Sequence, residues 1–222
     1  LNSLLARIIT RLAFLPFVIG LLVLWPAGTF DFWQIYAYFG FILIPMVAGG
    51  IYFYINDPAV LERRLKTNEK EDTQKLVMVF MGLAVVASYM IPGFDKRFGW
   101  SDIPVWLVLL ADAVVVVGYL VMLYVMKVNS FAARTIEVEQ NQRVIDTGPY
   151  ALVRHPMYTG AVVMYLATPV ALGSWWAFLA VAIVPFCLVA RILNEEQVLN
   201  QELDGYTEYT QRTRWRLIPG IW

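Results

Sequence analysis

Two clusters of polar residues stand out against an apolar background. The first is Arg154-His155-Pro156-Met157-Tyr158-Thr159-Gly160, preceded by Gly148-Pro149-Tyr150. Gly-Pro cannot continue a helix and marks a turn. Pro156 suits the first turn of a helix, where its missing N–H costs nothing. Arg154 and His155 therefore stand just before a helix begins, where unpaired N–H groups and a positive dipole end can hold a carboxylate. Tyr158 and Gly160 fall in the first turns, and Gly160 would admit a ligand or another helix at close range. The plain alternative, side chains anchoring at headgroup depth, accounts for any one of these residues but not for the run.

The second cluster is Arg191, Glu195, Glu196 and Glu202. Arg191 and Glu195 are four apart and share a helix face. Glu202 lies near that face, and Glu196 is turned away by ~100°. They continue directly from an apolar stretch, where ionisable groups mark a site or a water-filled cavity. The alternative is a helix emerging into water with a surface ion pair of little energetic worth. The tail adds Tyr206, Tyr209, Arg212, Arg214 and Arg216. Asp112 is an isolated acid that faces a polar cavity, pairs with a tail arginine or lies nearer an interface. His155 is the only histidine and Cys187 the only cysteine, which excludes an intramolecular disulfide and a Cys/His zinc site. Cys187 lies in an apolar run and reads as a packing residue.

The elements that carry these clusters must suit a bilayer. Of 222 residues, 59% are hydrophobic and 15% charged, against ~25% charged in an ordinary soluble domain. Formal net charge is zero, so nothing favours nucleic acid as a partner. A spanning helix needs ~20 mostly apolar residues. Six stretches qualify: 12–28, 32–55, 76–93, 103–126, 157–172 and 175–193. The reading is an all-α, polytopic membrane bundle forming a single domain, with a membrane part over 1–128 and a cofactor-binding, catalytic part over 129–222. Trp25, Trp33, Trp100, Trp106, Trp175 and Trp176 sit near the predicted span ends, as an interfacial belt requires. Alternate connectors and both termini carry fifteen Lys and Arg, against two (Lys96 and Arg97) on the other set. That asymmetry puts both termini and both clusters in the cytoplasm. The start, with Arg7 and Arg11, reads as a span rather than a signal peptide, because no A-x-A-like site follows. Residues 56–74, with Leu61, Leu65 and Leu76 at near-helical spacing, read as a surface helix or a solvated connector.

Taken together, Gly148-Pro-Tyr150, Arg154-His-Pro-x-Tyr158-x-Gly160, Glu195-Glu196 and Tyr206-x-x-Tyr209 resemble the isoprenylcysteine carboxyl methyltransferase family. Pro26 to Asp31 and Asp57 to Arg64 are similar to its prokaryotic branch. The strong part covers about residues 129 to 220, and phospholipid methyltransferases share the motif. The resemblance implies S-adenosylmethionine as the cofactor and a lipophilic or prenylated acceptor reached from the bilayer. It implies that Gln142, Arg143, Val144 and Ile145 line the adenosyl group largely through backbone. Tyr150, His155, Pro156, Met157 and Tyr158 would close around the cofactor, Glu195 would bind it by hydrogen bonds, and Arg191 would face the acceptor. Gln142 stands where some members carry histidine, which leaves its side chain without an inherited role.

Methyl transfer from a sulfonium to a carboxylate neutralises two charges, so a water-poor cavity favours the transition state over the separated ions. Such an acceptor needs no general base, and a guanidinium can hold it by a bidentate pair. An amine or thiol acceptor must lose a proton. The rival readings are a phospholipid or other small-lipid N-methyltransferase, a thiol S-methyltransferase, an NADPH-dependent sterol-type reductase and a membrane scaffold.

Overall fold

The computed structural model describes residues 3–66, 72–136 and 138–222. They form nine α-helices with no strand among the described residues: α1 Ser3–Ala27, α2 Trp33–Asn56, α3 Pro58–Leu65, α4 Asp72–Phe98, α5 Val105–Val128, α6 Pro156–Ala171, α7 Phe178–Val181, α8 Val184–Glu202 and α9 Tyr206–Arg212. Backbone groups in hydrocarbon must be satisfied within the segment, and long helices achieve that. Large apolar side chains face outward, among them Phe14, Ile44 and Phe186 at 62%, 73% and 76% exposure. In water such a surface would aggregate; in lipid it is the ground state. The chain is a polytopic helical membrane protein.

Five helices are long and apolar enough to cross a membrane: Leu4–Ala27, Trp33–Asn56, Gln74–Phe98, Val105–Val128 and Phe178–Glu202. The stretch expected to span over 157–172 is α6, only sixteen residues long. At 1.5 Å per residue it reaches ~24 Å, short of a hydrocarbon core of ~30 Å. It is held along α5 in the most closely packed helix pair among the described residues, and it carries the chain to Ser174, which bonds Asp95 at the far end of α4. Gly160 explains the fit. A Cβ there would stand 2.8 Å from the Gly118 carbonyl, and one on Gly118 would stand 2.8 Å from the Gly160 carbonyl. Of the two partners expected for Gly160, the structure supplies the helix.

Other boundaries differ for physical reasons. Helix α4 runs through Pro92-Gly93, where the expected span ends, to Phe98. A Cβ on Gly93 would collide with the Val23 carbonyl, so the pair is a close α1–α4 contact rather than a terminus. The last span begins at Phe178 rather than 175, after a turn, and takes in the four-residue α7. The expected surface helix shrinks to the eight residues of α3. Leu76 belongs to α4 and is exposed, and residues 67–71 lie outside the described residues. Asp112 meets no tail arginine. It is fully buried in α5 beside the cluster of Val23, Ala111, Val115 and Ala171, and neither carboxylate oxygen has a hydrogen-bond partner.

The two ends of the bundle differ. At one, Asp95 accepts from the Ser101 amide at 2.7 Å, the Ser101 hydroxyl at 2.7 Å and the Ser174 hydroxyl at 2.5 Å. This ties the α4–α5 turn to the chain leaving α6. All six tryptophans of the expected belt lie at this end and are exposed. The opposite end gathers α3, the 129–155 segment, the end of α8 and the tail, and it holds the site.

Candidate active site

A cavity of about 470 Å³ opens at this end. Its inner lobe is walled by Met78, Met81, Val85, Met122, Ala161 and Leu188 from four membrane helices. Its outer lobe is walled by Asn129, the 142–145 segment, Tyr150, Leu203, Tyr206 and Tyr209. A polar band of Arg64, Arg134, Tyr158, Arg191 and Glu195 also lines it. The structure therefore brings Gln142, Arg143, Val144, Ile145, Tyr150, His155, Pro156, Met157, Tyr158, Arg191 and Glu195 around one space. Glu202 is excluded: it ends α8 and is exposed.

Local structure explains how each side chain arrives. His155 is the N-cap residue of α6 and Pro156 its first residue. A 3-10 turn over Gly148–Ala151 precedes it. Gly148, at φ 59°, occupies the left-handed region that glycine enters at no steric cost. Tyr158, one turn into α6, stacks on the His155 ring at 5.7 Å. Its hydroxyl donates to Glu195 Oε2 at 2.6 Å and accepts from Arg191 Nε at 2.9 Å. Arg191 is otherwise committed: Nη1 donates to Gln74 Oε1 at 3.1 Å and Nη2 to the Arg134 carbonyl at 2.5 Å. The expected one-face pairing of Arg191 and Glu195 is thus bridged by Tyr158.

Glu196, turned from that face, does different work. Arg154 Nη1 lies 2.9 Å from Oε1, Arg216 Nε 2.9 Å from Oε2 and His155 Nε2 3.2 Å from Oε1. The tail joins this clamp. The Arg154 and His155 amides donate to the Trp215 and Arg216 carbonyls at 2.8 and 2.9 Å. Thr159 Oγ1 donates to the Leu217 carbonyl at 2.9 Å. The tail is therefore a strap across the entry to α6.

The outer lobe is built for backbone recognition. Among the described residues, 143–146 make no backbone–backbone hydrogen bond. The Gln142 side chain is spent locally, accepting from the Glu139 amide at 3.0 Å. Tyr150 Oη accepts from Asn129 Nδ2 at 2.9 Å, and the Tyr150 carbonyl accepts from Tyr209 Oη at 2.8 Å. Burial pushes the Tyr150 phenol up to about 12, so it stays a neutral group. Burial also raises the Tyr206 phenol, reinforced by Glu196 and Glu195. The Tyr206 hydroxyl is buried at the cavity wall without a partner.

Arg64, Asn129, Arg134, Tyr206 and Tyr209 also line the cavity without having been placed in it from sequence. The tail tyrosines enter the sequence reading only as part of the family-like motif, with no role assigned. Arg63 and Arg64 read as topology charges, and only the docking of α3 shows which one turns inward.

Fold and cavity together define a membrane protein with a partly open polar site beside apolar walls from four helices. Residues 106–204 match the family model described as phospholipid methyltransferase. The matched stretch runs from the first turn of α5 to just beyond α8 and includes Tyr158, Arg191 and Glu195. No curated protein matches the chain.

Proposed function

We propose that the protein transfers a methyl group from S-adenosylmethionine to a lipophilic acceptor, with the carboxylate of a prenylcysteine-like molecule as the favoured acceptor. The observation that carries this is one cavity joining an apolar lobe among membrane helices to a polar lobe with unpaired extended backbone, with Glu195 at the junction.

The residues present fit the cofactor. Residues 143–146 offer free backbone groups to an adenosyl edge, and the orphaned Tyr206 hydroxyl offers a further hydrogen bond. Glu195 is the one carboxylate among the described lining residues and suits a cationic ligand. Bound S-adenosylmethionine supplies an electrophilic methyl on a sulfonium. Tyr158 fixes the Glu195 carboxylate by its 2.6 Å hydrogen bond, and Arg191 fixes Tyr158. The methionine-rich inner lobe excludes water and holds an irregular greasy chain.

A carboxylate acceptor fits because it needs no base. The only histidine has Nε2 held against Glu196 at 3.2 Å and is nearly fully buried. The second reading, an amine headgroup, is favoured by the family description and by Glu195, which would pair with an ammonium. One assay separates them. Purified protein is given methyl-labelled S-adenosylmethionine with N-acetyl-S-farnesylcysteine or with phosphatidylethanolamine. Label that enters the prenylcysteine and is released by base as methanol supports the ester product. Base-stable label in the headgroup supports N-methylation instead, and label in neither overturns transfer to both acceptors.

A further inference from the structure

Helix α3 carries two adjacent arginines in different surroundings. Arg63 is neutralised: Nε lies 2.8 Å from Glu139 Oε2, and Nη1 donates to the Ser130 carbonyl at 2.8 Å. Arg64 turns into the cavity. Its Nη1 donates to the Ala133 carbonyl at 3.1 Å and lies 3.2 Å from Met157 Sδ. Among the described residues no carboxylate pairs with it. Its charged neighbours are Arg134 and Arg191, which also line the cavity. Burial lowers the Arg64 pKa, and both neighbouring guanidiniums push the same way. Among the described residues the one lining carboxylate, Glu195, is already hydrogen-bonded to Tyr158. Like charges drawn out of water are costly unless an anion stands among them.

The platform is fastened. Asp57 accepts from the Val60 amide at 3.3 Å at the start of α3 and also receives the Ser130 hydroxyl. Arg64 is thereby fixed against the segment that follows α5. Its neighbour Met157 stands at the first turn of α6, whose next turn carries Ala161 of the apolar lobe. That is where the charged end of a lipid would rest if its chain filled the lobe. Arg191, by contrast, spends Nε, Nη1 and Nη2 on Tyr158, Gln74 and the Arg134 backbone.

We propose that Arg64 is the specificity-determining residue for the acceptor, receiving a terminal anionic group, carboxylate or phosphate, while Arg191 positions Tyr158. A planar guanidinium suits either anion by a two-pronged contact. The inference rests on the methyl-transfer reading, and its test can fail separately from that reading.

The full chain in detergent is titrated calorimetrically with N-acetyl-S-farnesylcysteine, its neutral methyl ester and farnesyl phosphate, and separately with S-adenosylhomocysteine. Wild type should bind at least one anionic probe about tenfold or more tightly than the ester, the scale of a charge-assisted hydrogen bond. Which anion is preferred identifies the headgroup. Arg64→Gln should abolish that preference and leave S-adenosylhomocysteine affinity unchanged. Arg64→Lys, which keeps the charge, should retain part of it and guards against misfolding of the first variant. A preference that survives Arg64→Gln overturns the inference, as does parallel loss of S-adenosylhomocysteine binding, which would give Arg64 to the cofactor. Wild type that prefers the anionic probe but never binds S-adenosylhomocysteine would overturn the proposed function and leave the anion site standing.

Discussion

Glu195 and Glu196 are sequence neighbours with opposite surroundings. Glu195 faces the cavity with one hydroxyl donor; Glu196 is buried among Arg154, His155 and Arg216. Removing one partner of such a buried cluster costs about 3–5 kcal/mol, because the remaining charges lose their counter-ion. Glu196→Ala should therefore lower the thermal unfolding temperature in detergent far more than Glu195→Ala. Equal losses would contradict this division. Tyr158→Phe keeps the ring but strips a hydroxyl that donates to Glu195 and accepts from Arg191. About 1–3 kcal/mol is at stake where buried partners go unpaired, so turnover should fall by tenfold or more with folding retained; unchanged turnover would remove Tyr158 from the site. Part of this was legible in sequence. The four-residue spacing put Arg191 and Glu195 on one face and turned Glu196 away, and helical geometry alone suffices for that. Tyr158 as their bridge was not legible, because it comes from another helix. Glu202 lies near the same face by spacing, but as the last residue of α8 it is exposed and outside the cavity.

Close helix contacts here use small residues, which count where lipid is as apolar as leucine. The reciprocal Gly118–Gly160 contact joins α5 to α6 and sets where His155 and Tyr158 stand. Gly160→Val should destabilise by about 1–3 kcal/mol through overpacking and displace Tyr158. Thermal unfolding together with S-adenosylhomocysteine titration checks this, and a variant as stable as wild type would show that the helices part freely. The tail strap makes a second claim. Deleting residues 214–222 removes the carbonyls that receive the Arg154 and His155 amides, and Arg216 with them. Amide hydrogen exchange at 154–160 should then rise; unchanged protection would mean the strap holds nothing. Such contacts join residues some sixty positions apart (Arg154 with Trp215, for example), and no local pattern announces them. Pro92-Gly93 shows the converse: the expected span ends there, and tertiary packing overrides that boundary.

The whole molecule is polarised, with six of its eight tryptophans at one end and the cavity at the other. The hydropathy pattern made the bundle legible because each long apolar helix must satisfy its own backbone. The stretch 157–172 is the least legible of the expected spans, because apolar length cannot distinguish a helix facing lipid from one packed along a neighbour. We propose, from the excess of Lys and Arg on the connectors at the cavity end, that this end faces the cytoplasm. In a Cys187→Ala background, Thr207→Cys should react with an impermeant thiol reagent only from the cytoplasmic face and Asp102→Cys only from the other. Labelling of both from one face would contradict the topology.

The central claim is that the cavity holds S-adenosylmethionine with Glu195 as its carboxylate partner. Calorimetric titration of S-adenosylhomocysteine into detergent-purified protein, with Glu195→Ala alongside, tests it most directly. The account predicts saturable one-site binding that Glu195→Ala weakens by about tenfold or more, the scale of a lost charge-assisted hydrogen bond, with the variant still folded. Folded wild-type protein that binds no S-adenosylhomocysteine, or a variant that binds it as well as wild type, would contradict that claim.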